Sequence, residues 1–131
     1  MNLTDNFKLS EFACGCGCKG HEQPEIVAAL RLLCERRLQP LRDRLGVALK
    51  VYTGFRCVAF NKRCGGAKRS QHLYGKAADL IPADGNVERV GDEARAIMAE
   101  LRSGGVKVYR RQKRVSFTHV DDRSGRWDGN R

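Results

Sequence analysis

Apolar residues recur along this chain with two different periods, and the period changes at prolines and glycines. From Pro24 to Gly46, Ile26, Leu30, Leu33, Cys34, Leu41 and Leu45 fall on one face of a helix that Pro24 and Glu25 open and Gly46 ends. Pro40 lacks the N–H that a helix interior needs, so this helix is expected to kink or split there. Val47 to Thr53 alternates with the period of a strand, and Phe60 to Ser70 reads as a basic, glycine-containing loop. A short strand follows over Ala77 to Ile81, with Asp79 on one face and Ala78 and Leu80 on the other. After a turn at Pro82 to Gly85, Val87, Val90, Ala94, Ile97, Met98 and Leu101 form a second helical stripe, stopped by Gly104-Gly105. Val106 to Tyr109 and Val115 to Asp121 then predict a hairpin around the basic turn at Arg110 to Lys113. The last ten residues, Trp127 apart, are expected to be loosely ordered.

These elements predict an α+β domain: a small antiparallel sheet packed against two main helices. A chain of 131 residues forms one domain, 1–131, and 41% hydrophobic with 31% charged residues suits a water-soluble fold. No stretch approaches the ~20 apolar residues that cross a bilayer, so no membrane partner is expected. The first residues, Met1-Asn2-Leu3-Thr4-Asp5, lack the basic start and apolar run of a signal peptide, so synthesis in the cytoplasm is expected. The formal charge of +10 draws the protein toward anionic polymers. The basic clusters at Arg36-Arg37, Arg42 to Arg44, Lys62-Arg63, Lys68-Arg69 and Arg110 to Arg114 spread over the whole chain, as on a solvated surface. They carry no interleaved aromatics for stacking bases, which argues against nucleic acid.

The chemistry concentrates in Ser70-Gln71-His72-Leu73-Tyr74-Gly75-Lys76-Ala77-Ala78-Asp79, answered forty residues later by Thr118-His119-Val120-Asp121. His72, Asp79 and His119 offer two imidazoles and a carboxylate, a set that binds zinc and leaves one position open for water. Against this stands the ordinary role of a lone histidine as a core or surface residue, in a chain with only three. Six cysteines form a second feature. Cys14, Cys16, Cys18 and His21, in a cysteine-rich segment over about 12–22, suit a structural metal site or a disulfide cluster. Their spacing departs from a Cys-x-x-Cys knuckle, and alternate residues of an extended chain point in opposite directions. Cys34 reads as a small buried hydrophobe, while Cys57 and Cys64 flank the Arg56 loop and could join the N-terminal cluster.

The motif resembles the zinc D-Ala-D-Ala peptidase group, which includes vancomycin-resistance dipeptidases, phage L-Ala-D-Glu endolysins and, as an outlying relative, the Hedgehog signalling domain. Phe7 to Phe12, Thr53-Gly54-Phe55-Arg56, Asn61, Gly65-Gly66-Ala67, Phe117 to Asp121 and Arg126-Trp127 are similar to the M15-type branch of bacteria and phages with a His-x-Asp ending. The resemblance implies a Hedgehog/DD-peptidase-like fold, with zinc on His72, Asp79 and His119. It implies that Arg56 faces the substrate, binding a carboxylate or developing oxyanion with its fixed fork of donors. Ser70 matches a serine whose hydroxyl contacts substrate or closes a turn.

One departure bears on catalysis. Many members carry a general base three residues before the last histidine, or a histidine two residues before it, and here those positions are Ser116 and Phe117. Asp121 shares a strand face with His119, so it is either the base or a residue that orients His119. The expected function is a zinc metallopeptidase cleaving peptidoglycan stem peptides, as carboxypeptidase or endopeptidase. It would be a monomer that reaches the wall after release or export, in the manner of an endolysin. The alternatives are a silent zinc-stabilised binding module for wall or protein, and a zinc-ribbon-like nucleic-acid binder built on the N-terminal cysteines.

Overall fold

A computed structural model describes residues 1–112 and 115–131. The basic turn expected at 110–113 and the end of the basic cluster at 110–114 thus lie partly outside the described residues. The chain starts with two short antiparallel strands, β1 (Asn2–Thr4) and β2 (Phe7–Lys8), which bury Leu3 and Phe7. A 3-10 turn over Leu9–Phe12 follows, closed where the Glu11 carboxylate accepts the Lys8 N–H at 2.9 Å.

The first long apolar stripe becomes α1 (Pro24–Leu33) and α2 (Gln39–Leu45), joined by one π-helical turn at Cys34–Leu38. Pro40 has no N–H to give and its ring crowds the carbonyl four residues back, so the bonding pattern widens over the preceding turn. The helix therefore bends before Pro40 and continues. Its inner face, Leu30, Leu33, Cys34, Leu38 and Leu41, has no exposed surface, and each such leucine is worth roughly 2–5 kcal/mol against alanine.

β3 (Leu49–Thr53) leads to Arg56, and the segment expected to be a loop begins instead as a six-residue helix, α3 (Val58–Arg63). Cys57 caps it, its Sγ accepting the Phe60 N–H at 3.4 Å, and Lys62 and Arg63 fall in its last turn, where cations are favoured. β4 (Ala77–Pro82) precedes α4 (Val87–Leu101), whose N-terminus is capped by the Asn86 side chain accepting the Arg89 N–H at 3.1 Å. Its C-cap is Arg102, with φ of 59°, two residues before the predicted Gly104-Gly105 stop. Those glycines already belong to β5 (Gly104–Gln112), which pairs with β6 (Val115–Asp121).

The main sheet has the order β3-β4-β6-β5-β7, where β7 (Arg126–Asp128) adds to β5 in parallel while every other pairing is antiparallel. Part of the tail expected to be loose, Arg126–Asp128, is thus a strand. Arg95 holds Asp128 at 2.8 Å, and the Asn130 side chain bonds both the N–H and the carbonyl of Val108. Alternation divides the sheet by face. Ala78, Leu80, Val106 and Val120 are buried in the core shared with the helices, and the buried Thr118 hydroxyl donates to the Val87 carbonyl at 2.8 Å. Asp79, Tyr109, Phe117 and His119 take the opposite face.

One member of the basic clusters is not on the surface. Arg37 is 2% exposed, donating to Asp122 at 2.8 Å and to the Ser103 carbonyl and hydroxyl at 2.6 and 2.8 Å. That pairing ties the helical layer to the chain just after β6. Among the described residues, no helix is long and apolar enough to cross a membrane.

Candidate metal centre and cleft

β4 and β6 run side by side with Asp79 opposite His119, so two of the three candidate ligands meet across one rung of the sheet. The third arrives from a 3-10 turn over Gln71–Tyr74, which Ser70 closes by accepting the His72 N–H on its hydroxyl at 3.3 Å. The Arg56 N–H donates to the His72 carbonyl at 3.1 Å, joining the exit of β3 to this turn. One ligand atom from each of His72, Asp79 and His119 lies within 4.8 Å of the others.

The two imidazoles are held by opposite nitrogens. Nδ1 of His72 donates to the Gly54 carbonyl at 2.8 Å, leaving Nε2 facing Asp79 Oδ1 at 3.4 Å. Nε2 of His119 bonds Asp121 Oδ2 at 2.7 Å, leaving Nδ1 3.0 Å from Asp79 Oδ1. Each ring thus has one nitrogen engaged behind it and one turned inward, the arrangement that fixes the orientation of a ligating histidine. Two nitrogens and a carboxylate oxygen are a donor set that fits zinc.

Without metal, the charges organise themselves around His119. Burial disfavours its charge, but its hydrogen bonds to Asp121 and Asp79 outweigh that and raise its pKa to about 9. Burial likewise pushes Asp79 up, yet the charge and bonds of His72 and His119 hold its carboxyl well below the usual range. Asp121 is also buried and also held low, by Arg123 first and His119 next.

Asp121 lies on the side of the His119 ring away from Asp79. It is fully buried, gripped by Arg123 at 2.8 and 2.6 Å, and is not among the residues lining the cleft. The glycine at 105 makes room for it, because any Cβ there would overlap the Asp121 carboxylate. Arg123 in turn covers the Trp127 ring at 4.7 Å, and Trp127 meets His119 edge-on at 5.8 Å.

The cleft in front of the three residues has two adjoining parts of about 640 and 410 Å³, both lined by Arg56, Asp79, Tyr109 and Phe117. Among the described residues, Asp79 is the one carboxylate on its walls. Phe117 occupies the position two before His119 and is sandwiched between Tyr52 and Tyr109, with centroids at 5.4 and 4.9 Å. Burial raises the Tyr109 pKa and the Asp79 charge adds to this, so the phenol keeps its proton at neutral pH. Arg56 reaches into the same space, its Nη2 3.8 Å from Asp79 Oδ2 and its Nη1 3.4 Å from Asn61 Oδ1, with its buried Nε unpartnered.

Of the cysteines, Cys14, Cys16 and Cys18 come together with Cys57. His21 is not in that group and lies with Nε2 3.9 Å from Glu22. Cys34 is in the core as the helical pattern predicts, and Cys64 lines the cleft. Tyr109, Arg123 and the Gly54 carbonyl were not singled out from the sequence. Strand parity could have placed Tyr109 opposite Phe117, whereas the Gly54 carbonyl leaves no trace in residue identity.

A sheet and an adjoining turn thus converge two imidazoles and a carboxylate, a set able to hold a metal ion, beneath an open cleft. The family model for peptidase M15 matches residues 5–121, and the chain belongs to that family, a family of peptidases. No curated protein matches the chain.

Proposed function

We propose that this chain is a zinc metallopeptidase that hydrolyses peptide bonds in peptidoglycan stem peptides. The observation that carries the reading is the convergence of His72, Asp79 and His119 under a cleft that also presents the Arg56 guanidinium. His72 Nε2, one Asp79 oxygen and His119 Nδ1 would hold zinc, which supplies Lewis acidity toward a carbonyl and makes water nucleophilic near neutral pH.

The remaining roles belong to the chain. Arg56 presents a rigid fork, pinned by Asn61, to a substrate carboxylate or to the oxygen on which negative charge develops. Tyr109 donates a hydrogen bond from the same wall, and the Tyr52-Phe117-Tyr109 stack supports the substrate backbone. Asp121 is a positioning residue that fixes the His119 ring, and Ser70 fixes the approach of His72. The net charge of +10 concentrates the protein on the acidic polymers of the wall. A catalytically silent wall-binding module is the second reading, favoured by the burial of Asp121 away from the cleft. Digestion of defined muropeptides followed by mass spectrometry separates the two. Turnover that is lost in His72→Ala supports the peptidase, no turnover by zinc-loaded wild type favours the binding module, and wild-type cleavage by His72→Ala refutes the assignment.

A further inference from the structure

Cys14, Cys16, Cys18 and Cys57 lie outside the cleft chemistry, and their sulfurs are all within 4.8 Å of one another. We infer that these four thiolates form a second, structural metal site, with Cys57 as the fourth ligand in place of His21, binding zinc or a similar soft divalent ion.

Distance distinguishes this from oxidation. Cys14 Sγ to Cys16 Sγ is 3.4 Å and Cys16 Sγ to Cys57 Sγ is 3.7 Å. A tetrahedral zinc with Zn–S bonds of about 2.3 Å separates its sulfurs by about 3.8 Å, whereas a disulfide needs about 2.05 Å. The spacing that argued against a site on an extended chain is resolved by a turn. The Gly17 N–H bonds the Cys14 carbonyl at 3.0 Å and Gly17 has φ of +85°, so the backbone reverses between Cys14 and Cys18 and brings alternate side chains to one side. Backbone N–H groups also point at the sulfurs: that of Cys57 to Cys14 Sγ and that of Phe60 to Cys57 Sγ, each at 3.4 Å. Such bonds stabilise thiolates.

The consequence is mechanical. Cys57 follows Arg56 and caps α3, so a metal shared with the N-terminal segment anchors the base of the Arg56 side chain. His21, buried beside Glu22, stays outside.

The test is cobalt(II) substitution of the full chain, with thiolate-to-metal charge-transfer absorption and metal content as readouts independent of peptidase activity. The band should appear in wild type, persist in His72→Ala and His21→Ala, and fall in Cys57→Ser, with metal content dropping by one equivalent. A reduced, folded wild type that shows no such band overturns the inference. So does a Cys57→Ser variant with an undiminished band. If Cys57→Ser does not fold, thiol titration of the zinc-loaded wild type decides. Five of the six cysteines should be protected, Cys34 by burial and the four ligands by the metal, and a chelator should expose those four. Protection of only Cys34, or disulfides in the mass of the native protein, refutes the site.

Discussion

Asp121→Asn tests the way this site is held, because it keeps the shape of a buried side chain and removes its charge. Asp121 makes a 2.7 Å bond to His119 Nε2 and bonds at 2.8 and 2.6 Å to Arg123. Losing the charged partner behind a ligating histidine typically weakens metal binding tenfold to hundredfold, about 1.4–2.8 kcal/mol. Asp121 also acts on the metal-free protein, where it helps raise the His119 pKa to about 9. Metal must displace that proton. At pH 7, two units below the raised value, displacement costs roughly 3 kcal/mol.

The sign follows. Zinc affinity of wild type should fall about tenfold per pH unit below about 9. Asp121→Asn, with Asp79 still in place but one carboxylate fewer, begins this fall at a lower pH. The deficit of the variant is therefore largest in alkaline solution and shrinks toward neutrality. Competition with a chromophoric chelator across that range measures it. A wild-type to variant affinity ratio that does not change with pH would show that Asp121 does not control the His119 proton.

Without metal, the His119 pairing stabilises the fold fully below its ordinary pKa of 6.5 and is lost as pH rises through about 9, so chelator-treated protein should melt lower at pH 10 than at pH 7. Equal melting temperatures would contradict this. Arg56→Lys keeps the charge but not the fork, and should lower kcat/KM on muropeptides by about 10²–10³ with little change in denaturation midpoint. Gly105→Ala places a methyl against the Asp121 carboxylate and should cost about 1–3 kcal/mol in chemical denaturation together with zinc affinity; a neutral result would mean that β5 shifts freely. Leu80→Ala, fully buried on the core face of the strand that bears Asp79, should cost about 2–5 kcal/mol, measured in the same way.

The α+β class, both helical stripes and the strands that bear Asp79 and His119 were legible because periodicity and breakers are local properties. The π turn before Pro40 was legible only as a kink, since proline fixes where bonding fails but the core chooses how the helix recovers. The tail was misread because β7 is held by partners far along the chain, Arg95 and Val108, that no local pattern encodes.

What the sequence determined by itself was the candidate donor set: His72, Asp79 and His119 carry their chemistry in their identity and the motif marks them. Only the tertiary structure decided which nitrogen of each imidazole faces inward, through the Gly54 carbonyl and Asp121. It also put Asp121 behind His119 rather than in the cleft, and Cys57 rather than His21 beside Cys14, Cys16 and Cys18. The physical reason is the same in each case. Side-chain chemistry is local, but orientation, burial and partnership are set by residues as many as 43 positions apart, as Cys14 and Cys57 are, that meet only when the chain folds.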